Sequence, residues 1–194
     1  MPSYSIDNII PVVDPSSYIH PLASLIGDVI IGPGCYIGPF ASLRGDFGRI
    51  VLDSGCNIQD SCTVHTGLGT DTLIGRDGHV GHGAILHGCR LMPNVLIGMN
   101  ATVMDDAVIG EDSIVGAMAY VKARFEVPPG VLVTGIPAKI VRPLSEADLA
   151  LKTEGTRLYH QLAQRSLSSL REAAPLRRAD SDRLQRRNKQ QPEI

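Results

Sequence analysis

The feature that most constrains this chain is an aliphatic residue that recurs every six positions. It stands at Val13, Ile19, Leu25, Ile31, Ile37 and Leu43, resumes at Leu52, Ile58 and Val64, and again at Ile74, Val80 and Leu86. It then runs without interruption through Leu91, Ile97, Val103, Ile109, Val115 and Val121. Four places after these residues come mostly small ones: Ser17, Ala23, Val29, Cys35 and Ala41, then Phe47, and later Val95, Ala101, Ala107, Ser113 and Ala119. A period of six fits neither the 3.6-residue turn of a helix nor the alternation of a half-buried strand. Aromatic residues make up only 4% of the chain and Trp is absent, whereas Gly numbers 20 and Pro 13. Few large rings and many turn formers describe very short strands joined by tight turns.

The pattern resembles the hexapeptide repeat, whose family fold is a left-handed parallel β-helix with three hexads to each triangular coil. Eighteen hexads then make an all-β solenoid of about six coils, with the aliphatic residue inward on each face and the small residue near each corner. Each coil buries its apolar row only by stacking on its neighbours. Three irregularities interrupt the count. Leu43 to Leu52 is nine residues, Val64 to Ile74 is ten and includes Thr66-Gly67-Leu68-Gly69-Thr70, and Leu86 to Leu91 is five. All three flank histidines, and loops on a regular scaffold are where function usually sits. Val127-Pro128-Pro129-Gly130 is expected to break the register, and Gly135-Ile136-Pro137-Ala138-Lys139 to close the array.

Ser145 with Asp148 three places on reads as a helix N-cap. A helix over 145–172 follows, with Leu149, Leu158, Leu162, Ala163, Leu167 and Leu170 available for one face, Gly155 marking a bend and Pro175 a stop. The chain thus divides into a solenoid over 1–143, a helix over 144–174 packing on the solenoid or trimer, and a disordered basic tail over 175–194. Residues 1–164 carry 10 basic against 16 acidic side chains, and residues 165–194 carry 8 against 4. The tail reads as solvated, with no nucleic-acid partner. The start lacks a secretory pattern, and no apolar run approaches the ~20 residues of a membrane span. Cys35, Cys56, Cys62 and Cys89 fall within the repeat and read as small buried thiols, consistent with a cytoplasmic protein and no membrane partner.

The hexad count turns spacing into geometry. Val64 and Leu86 are three hexads apart, so they lie on the same face of successive coils, and His65 and His87, each one position later, point outward in one column. Adjacent rungs are ~4.8 Å apart, close enough for two imidazoles to share a metal at ~2.0–2.1 Å each. Arg44 follows Leu43 and sits beneath His65. His82 is two positions after Val80, on the preceding face, above Asp60 and next to the Gln59 column. It cannot turn the corner to reach His65 and His87 within its own chain, so a neighbouring subunit must bring the two faces together. Three-fold packing does this with one repeated contact that closes the ring. Arg44 and Asp46 read as a structural ion pair acting on the site indirectly. His20, His79 and His160 have no column partner and read as surface or packing residues.

Ser42-Leu43-Arg44-Gly45-Asp46, Asn57-Ile58-Gln59-Asp60, Val64-His65, and Gly81-His82-Gly83-Ala84-Ile85-Leu86-His87-Gly88-Cys89 resemble the γ-class carbonic anhydrase-like family over roughly residues 5–170. Within it, Gly45-Asp46-Phe47-Gly48-Arg49-Ile50 and Asp77-Gly78-His79-Val80-Gly81-His82 look most like its phenylacetic-acid degradation branch, then its carnitine-operon branch. The resemblance implies a homotrimer with a metal at each subunit interface, held by His65 and His87 of one chain and His82 of the next. The implied metal is zinc, with iron or cobalt in some members. Arg44 and Asp46 take the place of the family's interface ion pair. Gln59 takes that of the residue that orients the metal-bound water, with Asn57 and Asp60 as its supporting shell.

Three neutral imidazoles leave a bound metal with net positive charge and an open position, which lowers the pKa of bound water towards ~7. The resemblance then implies attack on CO2 or on an acyl-CoA thioester. The chain departs from the family's efficient anhydrases in carrying Phe47 where they have a glutamate, and its Thr66–Thr72 segment holds only one acid, Asp71. Two other readings remain open: a hexapeptide acyltransferase, to which Gly135-Ile136-Pro137-Ala138-Lys139 is also suited, and a non-catalytic trimeric scaffold with a structural zinc.

Overall fold

The structure is a computed structural model and describes residues 3–180, 182 and 183. The chain winds as a left-handed β-solenoid of stacked triangular coils. One face, an eight-stranded sheet, stacks Tyr18–Ile19, Tyr36–Ile37, Asn57–Ile58, His79–Val80, Leu96–Ile97, Ile114–Val115, Val131–Gly135 and Ala138–Pro143. The other two faces form a second sheet, because the strands Ser24–Ile31 and Ser42–Leu52 run unbroken around the corner between them. One of these two faces carries Thr63–His65 and Ile85–His87; the other carries Thr72–Ile74 and Arg90–Leu91. All pairing between successive coils is parallel until the last strand, Ala138–Pro143, which turns back antiparallel on Val131–Gly135.

The six-residue aliphatic row is the core. Leu25, Ile37, Leu43, Ile58, Val64, Val80, Leu86, Ile97, Val103, Ile109, Val115 and Val121 have no exposed surface, and the small corner residues Ala23, Cys35, Ala101 and Ala107 are equally sealed. Parallel strands cannot bury such short segments alone; each rung is covered by the ones above and below. The four cysteines are free and buried at corner positions, and burial pushes the Cys62 and Cys89 thiols up to about 11 and about 12.

Three sequence expectations need correction. The register does not break at Val127. Ile109 pairs with Val127 and Val115 with Val133, so two further inward residues extend the array. Pro128 and Pro129 follow the inward residue at a corner, where a fixed φ and a missing N–H cost nothing. Secondly, the nine-residue step from Leu43 to Leu52 is no loop but part of one eleven-residue strand. Phe47 therefore occupies no corner and is half-exposed, with its ring 5.5 Å from that of His65. Thirdly, the helix spans Glu146–Ser169 and continues through Gly155. It buries Ala163, with Leu162 partly buried beside it, as expected, but its other buried residues are Lys152 and Thr156 rather than leucines. Leu151, Leu158, Leu167 and Leu170 are exposed.

The helix starts at a capping box in which Ser145 accepts from the Asp148 amide while the Asp148 carboxylate accepts from the Ser145 N–H. It lies on the first face, where Tyr159, Leu162 and Ala163 pack against Tyr18 and Tyr36. Lys152 donates to the Asp77 carbonyl at 2.7 Å and to the Asn94 side chain. Burial pulls its ammonium pKa down to about 8. The helix thus docks by an apolar contact on Tyr18 and Tyr36 at one end and by the polar contacts of Lys152 and Thr156 at the other. At Gly155 an added Cβ would meet only the His79 Cε1, at 3.7 Å, an ordinary contact. Gly155→Ala is therefore expected to stabilise the protein by about 0.5–1 kcal/mol through helix propensity, read as a raised urea midpoint; a lowered midpoint would place the helix differently. Among the described residues no helix is long and apolar enough to cross a membrane. The expectation for residues 175–194 falls mostly outside the described residues.

Candidate metal centre

Strand register places the candidate ligands. Arg44 pairs with His65, and His65 with His87, so the three stack outward on successive rungs. The two imidazoles are tilted at 60° with centroids 5.1 Å apart, and His65 Nδ1 stands 3.2 Å from His87 Nε2. Each ring's other nitrogen meets a carboxylate. His65 Nε2 is 2.9 Å from Asp46 Oδ1, and His87 Nδ1 is 2.6 Å from Asp105 Oδ1. Arg44 donates to the second oxygen of Asp46. Burial raises the Asp46 pKa, but the hydrogen bonds from His65 and Arg44 outweigh it and hold the carboxyl below the usual carboxylate range.

Asp105 escaped the sequence reading, although the hexad count contains the signal. Leu86 pairs with Val103, so the position two after Val103 lies one rung above Gly88 and diagonal to His87. Gly88 has φ +56°, and a Cβ there would come within 2.7 Å of the Asp105 carboxylate. The missing side chain is what lets Asp105 approach the ring.

His82 sits in the corner turn after His79–Val80, directly above Asp60, whose carbonyl accepts from the Gly83 amide at 2.9 Å. Its Nδ1 is 3.6 Å from the Asp60 carboxylate and its Nε2 is 3.4 Å from the Tyr159 hydroxyl. Among the described residues no three His, Cys, Asp or Glu side chains of one chain converge as a metal-holding group; His82 stays apart from His65 and His87. Gln59 and Asn57 are buried, and face the helix. Gln59 Nε2 donates to Asn57 Oδ1 at 3.0 Å and meets His79 Nε2 at 2.8 Å. His79 is thus a packing residue beneath the helix, as expected, but it does not lack a column partner. Its column neighbour is Asn57, and its Nδ1 lies 3.3 Å from the Thr156 hydroxyl. Nor is His160 alone: its Nε2 meets the Gly55 carbonyl at 2.9 Å. A cavity of about 340 Å³ opens here, lined by Gln59, His79, His82, Leu96, Met99 and Tyr159 among others.

The model of the bacterial transferase hexapeptide family (six repeats) matches residues 11–45 and 88–123. Carnitine operon protein CaiE of Escherichia coli K12 is 50% identical over 183 residues, 94% of this chain and 93% of its own length. The chain belongs to the hexapeptide-repeat transferase family. Among solved structures, a Bacillus cereus protein provisionally named an acetyltransferase is 31% identical, with a TM-score of 0.85, covering 86% of this hexapeptide-repeat chain and 96% of its own. A hexapeptide transferase family protein from Anaplasma phagocytophilum is 36% identical, with a TM-score of 0.81, over 84% and 96%. The segment between the two matched stretches holds both insertions, Gln59 and the histidines at 65, 82 and 87.

The donor set fits zinc on two counts. Tetrahedral ligands ~2.0–2.1 Å from a zinc stand about 3.3–3.4 Å apart, and the facing nitrogens of His65 and His87 are 3.2 Å apart. A carboxylate on the far nitrogen of a ligating imidazole fixes its tautomer and orientation, and both rings carry one.

Proposed function

We propose that this hexapeptide-repeat protein assembles as a homotrimer that holds zinc with His65 and His87 of one protomer and His82 of the next, and hydrolyses acyl-CoA thioesters or hydrates CO2. The observation that carries the reading is the pair of facing imidazole nitrogens, each ring backed by its own carboxylate. Zinc bound there would supply a Lewis acid and a water acidified towards neutrality. Asp46 and Asp105 would hold the protons at His65 Nε2 and His87 Nδ1, leaving the facing nitrogens as lone pairs. Arg44 would keep Asp46 ionised and in place. The three-fold contact is supported by side chains that a lone protomer leaves in water on the histidine face and its bordering corner: Phe40, Ile85, Met99, Met118 and Tyr120. Exposed apolar clusters of this kind mark interaction sites.

Between the two substrates, the cavity beside His82 favours the thioester. Its Leu96 and Met99 walls suit an apolar acyl group, and CO2 needs no such room. Phe47 and the acid-poor loop 66–72 offer no route for rapid proton export, which CO2 hydration needs at every turnover. An acyltransferase reading is favoured by the name of the Bacillus cereus structure; in it one histidine would serve as a general base towards an acceptor amine or hydroxyl.

The test is zinc content per chain, stopped-flow CO2 hydration, and thiol release from a panel of acyl-CoAs with and without acceptor amines. His82→Ala is expected to lose the metal while keeping the β-solenoid circular dichroism. Full zinc retention in that variant overturns the shared site, and acyl transfer without metal moves the assignment to the acyltransferase. Asp105→Asn is expected to weaken zinc binding about 10–100-fold, the usual effect of removing such a partner, measured by chelator competition. An unchanged affinity would show that Asp105 does not orient His87.

A further inference from the structure

We propose that His79 is a positioning residue for Gln59: its imidazole holds the Gln59 amide so that the carboxamide oxygen, not the nitrogen, is presented to the cavity beside His82. The inference deepens the reading of His82 and its cavity as the reaction site and rests on it.

The argument is a count of donors and acceptors. The Gln59 amide nitrogen has two hydrogens. One goes to Asn57 Oδ1 at 3.0 Å and the other to His79 Nε2 at 2.8 Å. Nε2 must then be a lone pair, which puts the imidazole proton on Nδ1, facing the Thr156 hydroxyl at 3.3 Å. That hydroxyl donates onward to the Lys152 carbonyl at 3.2 Å. From Gln59 through His79 to Thr156 each hydrogen therefore has one acceptor, in one direction, into the helix. Turning the Gln59 amide over alone would set its oxygen against the Asn57 oxygen, acceptor to acceptor. Turning Asn57 over with it would give an acceptor to the Asn57 Nδ2, which has no partner among the described residues, but would require the His79 proton to sit on Nε2. The tautomer therefore separates the two arrangements.

The surroundings hold this arrangement. Burial, with the charge of Lys152 as the next cause, pulls the His79 pKa down to about 4, so the ring is neutral at pH 7 and its Nε2 lone pair is available. Tyr159 stands edge-on to the ring at 90° and 5.3 Å, limiting its rotation. With both amide hydrogens committed, the oxygen is the atom of Gln59 left for a guest. It is an acceptor, suited to a water or hydroxyl nucleophile. The helix thereby acts on the site at second hand: Thr156 sets the His79 tautomer, and His79 sets Gln59.

The test uses the full-length, zinc-loaded protein with His79→Phe, which keeps the ring and loses the acceptor, and His79→Gln, which keeps an acceptor oxygen. His79→Phe is expected to lower kcat about 10-fold with KM and zinc content changed by less than about 2-fold, and His79→Gln to recover most of that loss, the pattern of a transition-state interaction. Histidine-selective 15N NMR of the native protein is expected to show His79 protonated on Nδ1 and bare at Nε2. An unchanged kcat in His79→Phe, or a proton on Nε2, overturns the proposal; if His79→Phe does not fold, the NMR result and His79→Gln decide. If the native protein turns over neither CO2 nor thioesters, the proposed function fails, and the His79 tautomer alone still decides the orientation of Gln59.

Discussion

Co-expressing His65→Ala and His82→Ala chains is expected to restore metal binding that neither variant shows alone. A homotrimer of either variant lacks one ligand at every interface. In a mixed trimer, an interface is complete when the protomer giving His65 and His87 is the His82→Ala chain and its neighbour giving His82 is the His65→Ala chain. Whichever variant is in the minority, a mixed closed ring of three has one complete interface of its three, so in doubly tagged trimers zinc and activity should return to about a third of the native level. The measurement is zinc per trimer and thioester hydrolysis on co-purified, doubly tagged protein. No recovery in trimers shown to be mixed would mean that each chain holds its own metal or none. The expectation follows from the fold: His82 occupies a corner above Asp60, whereas His65 and His87 stack on the next face.

The second large effect concerns the spine of the solenoid. Ile97 has no exposed surface and lies between Val80 and Val115 in the inward row. Ile97→Ala removes buried carbons and leaves a void that stacked backbones cannot collapse to fill. Large-to-small changes of this kind cost about 2–5 kcal/mol, and the rigid rungs point to about 3 or more. For a chain of this length, 1 kcal/mol shifts Tm by roughly 2–4 °C, so calorimetry should register a fall near 10 °C. A cost below about 1 kcal/mol would show that the row is not the principal source of cohesion, against its complete burial and the nearest-neighbour energetics of repeat arrays.

The period of six was legible because the same inward position repeats on every rung, and the structure seals nearly all of those residues. Counting along that row also placed Arg44, His65 and His87 in register. What escaped the count has physical causes. Asp105 acts diagonally, from one rung above His87, and a column reading looks only straight up and down. A column count for His79 also looks only straight up and down, whereas its decisive partners are Gln59, diagonal to it just past the strand Asn57–Ile58 one rung below, and Thr156, 77 residues later in the chain. The helix docks on a mixed surface: Leu162 and Ala163 of the apolar stripe meet Tyr18 and Tyr36, whereas Lys152 and Thr156 turn inward towards Asn94 and His79. Leu158, Leu167 and Leu170 stay exposed, which an apolar stripe alone does not predict. Pro128 and Pro129 looked like a break because prolines end central strands, yet at a corner they interrupt nothing.

The antiparallel return of Ala138–Pro143 has a consequence beyond closing the array. A stack of parallel coils ends in open strand edges, and two such edges could join end to end into a filament. Here the terminal edge belongs to a strand that runs the wrong way for continued coiling, carries exposed Lys139 and Arg142, and ends in a proline with no N–H to offer. Arg142 is further tied to the Asp148 carboxylate at 2.7 Å and 3.0 Å, anchoring that edge to the start of the helix. Blocking one end suffices, since end-to-end growth needs both, so the sideways contact proposed for the histidine faces would not compete with growth along the solenoid axis.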